Sequence, residues 1–307
     1  MMYIESLKAN TCFPNIHIPR RLDPTKPSIQ RILMDHFENL LQDDEVLRRG
    51  LRPEVISNLK RAKICGTPDA GYSTFQCPDC KSIHYMYHTC KSRFCSSCGV
   101  KYAAARAKNL LNVCLGVKHR HVTFTIPIEL RNFFRSHYPN LSLLSQAASD
   151  ALKWVIKKAG RKTQQLSPGI ICVIHTFGRD LKWNPHVHAL VTEGGVDLTN
   201  HFSTVRFFSY PSLRRSFMKV LLDSIKKEFG ITTKNLINDL YVKYGKDGFY
   251  VNAPDKKFAS VEQCISYVVR YTGRPVIGNS RLLDYDGQHV TWKYTPPGED
   301  QEVIIMS

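Results

Sequence analysis

The stretch N-P-H-V-H-A-L-V at residues 184–191 decides how the second half of the chain is interpreted. Its apolar and β-branched residues predict a strand, and alternate side chains of a strand point to the same face. His186 and His188 therefore present two imidazoles side by side, while Val187 faces the opposite side, where it can pack. The stretch predicts a sheet with imidazoles on one face and a core on the other.

His175 adds a third imidazole, on the apolar and β-branched run 169–176 that precedes the pair. If residues 171–177 pair antiparallel with residues 187–193, His175 reaches the same face as the histidine pair. Three neutral imidazoles on one face, with coordination positions left open, are typical of a catalytic metal site. The alternative for each histidine is a hydrogen-bonded core residue.

His119 and His121 are also two positions apart, at the start of the predicted strand 121–126. A shared strand face for both would require Arg120 between them to be buried, which is unfavourable for a charged side chain. We therefore expect these histidines to flank the start of the strand, with one of them facing a phosphate.

Hydrophobic periodicity over the rest of the chain predicts an α+β fold. The predicted helices cover residues 28–41, a short segment from Pro53, 100–115, 141–159, 211–229 and 261–272; the predicted strands cover residues 121–126, 169–176, 186–192, 240–251 and 290–294. Asp286-Gly287 predicts a hairpin turn before the last strand. The pattern changes near residue 115, which predicts a helical, cysteine-rich domain over 1–115 and an α+β domain over 116–307.

Six of the ten cysteines fall within 34 residues, where hydrophobic periodicity is lost and turn residues dominate. Cys77-x-x-Cys80 and Cys95-x-x-Cys98 form two CxxC pairs separated by fourteen residues. Two such turns supply four thiolates for a closed tetrahedral zinc site. We predict structural zinc at these four cysteines, with folding of the segment dependent on the metal.

Cys65 and Cys90 are possible further zinc ligands, since with His84 and His88 they make a second set of four. The alternative is that Cys90 packs in the core while the histidines face solvent or phosphate. The sequence leaves both interpretations open.

The charge of the chain indicates a polyanionic partner. Forty-three Lys and Arg residues against 26 Asp and Glu leave a net charge of +17, and nucleic acid is the commonest partner for such an excess. Between residues 60 and 120, eleven basic residues face only two acidic ones, with aromatic residues interleaved, which suits phosphate contacts combined with base stacking. No apolar run could span a bilayer, and residues 1–10 contain no apolar signal core, so we expect a cytoplasmic protein.

Tyr267 and Tyr271 lie four residues apart on the predicted helix 261–272, so their side chains share one face beside an apolar stripe. Geometry alone favours amphipathic residues at the edge of the core. A phenol is a poor nucleophile until its target or its proton is activated. A divalent cation beside a phosphodiester activates the phosphorus for attack. The predicted histidine metal site therefore favours a catalytic role for the two tyrosines.

The order of a cysteine cluster, a His-hydrophobe-His pair and a Tyr-x3-Tyr helix resembles the rolling-circle transposases of the IS91 type, which are two-tyrosine members of the HUH endonuclease superfamily. The matching stretches are residues 77–98, H-V-T-F-T-I-P at 121–127, N-P-H-V-H-A-L-V-T-E-G-G at 184–195 and Y-V-V-R-Y-T-G-R-P-V-I-G-N-S-R-L at 267–282. The resemblance implies an HUH-type antiparallel sheet with flanking helices. It implies that His186 and His188, with His175 as the third histidine, bind catalytic Mg²⁺ or Mn²⁺, and that Tyr267 and Tyr271 are the nucleophiles.

The activity that this resemblance implies is strand transfer of single-stranded or hairpin DNA, with no nucleotide cofactor and no membrane partner. A tyrosine would form a 5′-phosphotyrosyl link and release a 3′-hydroxyl, which conserves the energy of the broken bond. Residues 1–115 would be the zinc-dependent DNA-binding domain and residues 116–307 the nuclease domain of a bacterial, nucleoid-associated protein. Two alternatives stay open: a plasmid or phage replication initiator with the same chemistry, and a catalytically inactive zinc-dependent DNA-binding relative.

Overall fold

The computed structural model describes residues 16–17, 25–160, 165–205, 209–253, 262–266, 269, 275–296 and 298–307. Over this part of the chain helices and strands are mixed, which confirms the predicted α+β class. The chain divides into two compact units, residues 1–102 with 274–307 and residues 103–273. The division into domains 1–115 and 116–307 stays a prediction. No helix in the described ranges combines the length and apolarity needed to cross a membrane.

The elements are numbered in chain order. The helices are α1 (Ile29–Gln42), α2 (Asp44–Arg49), α3 (Pro53–Lys63), α4 (Ser96–Leu111), α5 (Ile128–Ser136), α6 (Ser142–Ala159), α7 (Tyr210–Phe229) and α8 (Lys234–Tyr244). The strands are β1 (Ile16–His17), β2 (Tyr72–Gln76), β3 (Ile83–Tyr87), β4 (His119–Thr125), β5 (Ile170–Phe177), β6 (Trp183–Thr192), β7 (Gly194–Val196), β8 (Phe202–Thr204), β9 (Val251–Asn252), β10 (Leu282–Tyr285), β11 (Val290–Tyr294) and β12 (Val303–Met306).

The first unit, residues 1–102 with 274–307, contains helices α1–α3 and two small sheets, β1-β3-β2 and β10-β11-β12. α1 begins after Ser28, whose hydroxyl accepts a hydrogen bond from the Arg31 backbone N–H at 3.2 Å, as expected of an N-cap. The predicted hairpin turn is present, because β10 and β11 pair antiparallel on either side of Asp286-Gly287. Tyr285 at its base donates a hydrogen bond to Asp35 on α1 at 2.8 Å.

Residues 65–98 contain regular structure that the loss of periodicity did not predict. β2 and β3 pair antiparallel from Tyr72 opposite Tyr87 to Gln76 opposite Ile83. The chain therefore enters and leaves the hairpin at the end formed by Tyr72 and Tyr87 and turns at the end formed by Gln76 and Ile83. The two ends are about 15 Å apart, since a strand rises ~3.3 Å per residue. This topology decides which cysteines can meet.

The second unit, residues 103–273, is built on an antiparallel sheet in the order β5-β6-β4-β9. One face of the sheet packs against α6 and α7. Val187, Ala189 and Val191 of β6 and Val122 and Phe124 of β4 are fully buried in this core. The opposite face carries the alternate residues of the same strands, so the predicted division into a packed face and an imidazole face is present.

The predicted strand over residues 240–251 is wrong. Helix α8 continues to Tyr244, and only Val251 and Asn252 are extended. The alternating β-branched and aromatic residues suggested a strand, but burial follows a helical period: Ile237 and Leu240, one turn apart, are buried, while Val242 is 88% exposed. The helical contact with the core overrides the local propensity.

Phe124 anchors the sheet on its helices, and its removal should be costly. Its ring is fully buried, with its centroid 4.8 Å from that of Phe217 on α7. We expect Phe124→Ala to lower the free energy of unfolding by about 3–5 kcal/mol, since it loses buried apolar surface and leaves a cavity. Urea denaturation against Ile128→Ala, whose side chain is exposed, tests this; equal destabilisation by both variants would contradict it.

Candidate metal centres

Three histidines meet on the face of the sheet opposite α6 and α7. β5 and β6 pair antiparallel, as predicted, with His175 directly opposite His186, and His188 follows two residues further along β6. Their ligand-capable ring nitrogens lie within 4.8 Å of one another. The Nε2 atoms of His186 and His188 are 3.1 Å apart, which is compatible with two ligands converging on one ion.

The second nitrogen of each β6 imidazole is already engaged. Nδ1 of His186 lies 2.6 Å from the backbone carbonyl of Asn184, and Nδ1 of His188 lies 2.9 Å from Nε2 of His121. A metal-binding imidazole characteristically donates its other N–H to such a partner, which fixes the tautomer. Both Nε2 atoms are thereby left for a ligand.

Electrostatics favour the neutral, metal-binding form of these rings. Burial, together with the neighbouring His186, His121 and His175, lowers the pKa of His188 to about 2. Burial also lowers the pKa of His186, in spite of its hydrogen bond to the Asn184 carbonyl. Neutral imidazole is the form that binds a metal.

The residues present fit a divalent cation. Three imidazoles on one face leave coordination positions open, as in catalytic metal sites. Asn184, two positions before His186 on β6, has a buried side-chain oxygen with no hydrogen-bond partner among the residues that the structure describes. A buried polar atom without a partner calls for an explanation, and a bound ion or its water provides one.

His121 is a member of this group that the sequence interpretation missed. It is 6% exposed, and its ring stacks on that of His188 with centroids 5.1 Å apart. The expected obstacle, burial of Arg120, is removed by Glu193, which forms an ion pair with it at 2.7 Å, and by Tyr210, which accepts a hydrogen bond from it. His119 instead contacts the Val117 carbonyl through Nδ1. The His-x-His spacing at 119–121 was the available signal.

The proposed nucleophiles, Tyr267 and Tyr271, lie outside the described residues. Residues 262–266 and 269 are helical, in line with the predicted helix. Their apolar side chains, Cys264, Ile265 and Val269, are buried in one cluster that also contains Leu190 of β6 and Ile171 of β5. Leu190 follows His188 by two positions, so this helical segment packs on the face of the sheet that carries the imidazoles.

In the first unit, four cysteine sulfurs come together: those of Cys65, Cys90, Cys95 and Cys98, all within 4.8 Å of one another. The Sγ atoms of Cys65 and Cys98 are 3.6 Å apart. Backbone N–H groups point at two of the sulfurs, from Cys90 to Cys65 at 3.3 Å and from Ser92 to Cys90 at 3.4 Å. Four sulfurs in this arrangement are typical of a structural zinc site.

Burial favours the protonated form of two thiols in this cluster. Burial raises the pKa of Cys65 to about 11 and also raises the pKa of Cys90. Burial raises the pKa of Cys98 too, but hydrogen bonds from Cys65 and Cys90 outweigh it and lower the pKa overall. Zinc requires thiolates, so metal binding must release protons.

The structure does not bring Cys77 and Cys80 into this group, although they were predicted to share one site with Cys95 and Cys98. They lie at the turn of the β2–β3 hairpin, where the Cys77 N–H donates to the Ser82 carbonyl at 2.9 Å. Cys65 and Cys90, predicted as possible further ligands, flank the other end of the hairpin. Of the histidines considered for a second set, His88 contacts the Ser73 hydroxyl at 3.0 Å and His84 lies opposite Phe75.

Alkylation distinguishes the two sets of cysteines. With zinc bound, we expect Cys65, Cys90, Cys95 and Cys98 to resist iodoacetamide in the unmodified chain and equally in Cys80→Ser. In Cys90→Ser the three remaining sulfurs should react, because a structural zinc site rarely survives the loss of a ligand. Mass spectrometry of peptides measures this site by site; rapid alkylation of Cys65 in Cys80→Ser would contradict the grouping.

Comparison with known proteins gives two family matches, and one of them agrees with the four-cysteine centre. The family model described as "Transposase zinc-binding domain" matches residues 32–126, and the one described as "Putative transposase" matches residues 169–305. A zinc-binding domain joined to a transposase domain defines the class of protein. Both matched parts of the chain are therefore similar to transposases, and the zinc-binding part is similar to the IS91 type.

Two curated relatives carry related names. The "Transposase for insertion sequence element IS801" of Pseudomonas savastanoi pv. phaseolicola is 28% identical over 249 residues, which cover 77% of this chain and 59% of that protein. The "Putative transposase y4qJ" of Sinorhizobium fredii is 27% identical over 264 residues, covering 80% and 66%. The chain thus spans about three fifths to two thirds of the length of these relatives. No solved structure is significantly similar to it.

Proposed function

We propose that this chain is a DNA transposase that nicks and rejoins single-stranded DNA through a 5′-phosphotyrosyl intermediate, as in rolling-circle transposition. The observation that carries the proposal is the group of three imidazoles, His175, His186 and His188, on a sheet face against which Cys264, Ile265 and Val269 pack. Both relatives carry the word transposase in their names, which supports the same class of activity.

In this proposal His175, His186 and His188 hold Mg²⁺ or Mn²⁺ through their ring nitrogens, and Tyr267 or Tyr271 attacks the DNA. A divalent cation supplies Lewis acidity that withdraws charge from the scissile phosphate. The phenol oxygen forms a bond to phosphorus while the bond from phosphorus to the 3′ oxygen breaks. The phenol proton leaves to solvent, and the departing oxygen takes up a proton to become a 3′-hydroxyl.

Rejoining reverses these bond changes. A DNA 3′-hydroxyl attacks the phosphotyrosyl phosphorus, restores a phosphodiester and returns the phenol, so no nucleotide cofactor is needed. Two tyrosines allow two strands to be held at once, as transfer from a donor to a target requires. The apolar contacts of Cys264 and Ile265 with Leu190 support a position of this helix near the imidazoles.

The zinc ion has a structural role in the proposal, bound by Cys65, Cys90, Cys95 and Cys98. The matched zinc-binding domain and the four-sulfur cluster both support a structural zinc. The proposed partner is single-stranded or hairpin DNA at the ends of the element, and the net charge of +17 supports a polyanionic ligand. We place the protein at the bacterial nucleoid, where this DNA lies.

Trapping the covalent adduct tests the proposal. The full chain is incubated with end-labelled single-stranded oligonucleotides that tile both flanks of its gene, with Mn²⁺ or with EDTA. We expect nicks with free 3′-hydroxyls and a protein–DNA adduct that depends on Mn²⁺. Nicking without transfer to a second strand would favour a replication initiator, and binding without any nicking would favour an inactive DNA-binding relative.

A further inference from the structure

We infer that His121 is the positioning residue for the proposed metal ligand His188, a role that rests on the proposed function. His121 is buried on β4, and His188 is buried on the adjacent strand β6. The two rings are within 16° of parallel, and Nε2 of His121 lies 2.9 Å from Nδ1 of His188. The Thr123 hydroxyl lies farther from that nitrogen, at 3.4 Å.

This contact selects the tautomer of His188. The Nε2 atom of His188 faces Nε2 of His186, so the proton belongs on Nδ1 when Nε2 binds a cation. Nδ1–H then donates to the lone pair on Nε2 of His121, which is an acceptor of the right kind and distance. His186 obtains the same result from the carbonyl of Asn184, so each ligand on β6 has a fixed partner behind it.

The position of His121 also makes the support rigid. β4 and β6 are the two central strands of the sheet, paired continuously from His119 opposite Thr192 to Thr125 opposite His186. A side chain on a paired neighbouring strand keeps its distance to His188 without the freedom of a loop residue. Polar partners of this kind typically change metal affinity about 10–100-fold when removed.

The test compares three variants of the full, zinc-loaded chain by calorimetric titration with Mn²⁺. His121→Phe keeps the size of the ring and removes the acceptor, and we expect the Kd for Mn²⁺ to rise about 10–100-fold. His121→Gln, whose side-chain oxygen can occupy the acceptor position, should recover most of the affinity. His119→Phe, two positions away on β4 and hydrogen-bonded elsewhere, should leave the Kd unchanged.

Two further measurements keep the interpretation unambiguous. Thermal unfolding without Mn²⁺ should give the same transition for His121→Phe and His121→Gln, so that a difference in affinity is not a difference in folding. His188→Ala serves as the reference for a lost ligand. If His188→Ala weakens Mn²⁺ binding and His121→Phe does not, the positioning role is wrong. If neither variant changes the Kd, the proposed metal site itself is wrong.

Discussion

The double variant Tyr267→Phe with Tyr271→Phe should fold, bind single-stranded DNA with unchanged affinity and form no covalent adduct. Phenylalanine removes only the attacking oxygens, and DNA binding depends mainly on the basic surface. Among the described residues of this helix, Cys264, Ile265 and Val269 are buried in the cluster with Leu190, and the variant retains all three. We expect a fall in adduct yield of at least about 10³-fold, measured by gel electrophoresis of labelled DNA, since covalent chemistry is lost entirely.

The single variants Tyr267→Phe and Tyr271→Phe separate nicking from strand transfer. Each should keep nicking activity if either phenol reaches the scissile phosphate, but transfer to a second strand should fail when one tyrosine remains. On the helix predicted from the sequence, Tyr271 is the tyrosine nearer the apolar stripe, so we expect substitution there to reduce activity more than substitution of Tyr267. Tyr241→Phe, on the outer part of α8, is a matched control and should match the unmodified chain. An adduct that persists in the double variant, mapped to another residue, would overturn the assignment.

The histidine face was predictable because a strand has a fixed period of two. The pair at 186 and 188 needs only that period to share a face, and the antiparallel pairing with β5 follows from the turn-rich connection after Phe177. The prediction failed for His121, since it treated Arg120 as an isolated charge. The ion pair of Arg120 with Glu193 joins residues 73 positions apart in sequence, which no local pattern contains.

The cysteine grouping shows the limit of spacing arguments. Two CxxC motifs fourteen residues apart predict one site if the intervening chain is a simple loop. Here the chain between Cys65 and Cys90 forms a hairpin, which separates its turn from its base and brings the two flanking cysteines together. The pairing of strands within residues 72–87 depends on tertiary contacts that the cysteine spacing does not contain. A zinc site built from cysteines was therefore predictable, but which four cysteines form it was not.

His186→Ala should abolish metal-dependent cleavage and leave DNA binding nearly intact. The variant removes a proposed ligand that lies opposite His175 and whose Nε2 is 3.1 Å from that of His188, so two imidazoles alone would have to hold the cation. We expect the cleavage rate in Mn²⁺ to fall at least about 10³-fold, because Lewis acid stabilisation of the transition state contributes several kcal/mol. The Kd for single-stranded DNA should change less than about threefold, since it reflects phosphate contacts by basic residues.

A matched histidine variant shows whether the loss is specific to this face. His137 lies in the same unit, at the end of α5, where its ring stacks on Phe133 and contacts the Phe133 carbonyl, so His137→Ala is the control. It should cleave at the rate of the unmodified chain, apart from a small loss of stability. Added Mn²⁺ at increasing concentration should partly restore cleavage by His186→Ala, because the remaining ligands still bind weakly. If cleavage in EDTA equals cleavage with Mn²⁺ in the unmodified chain, the three histidines do not act through a metal.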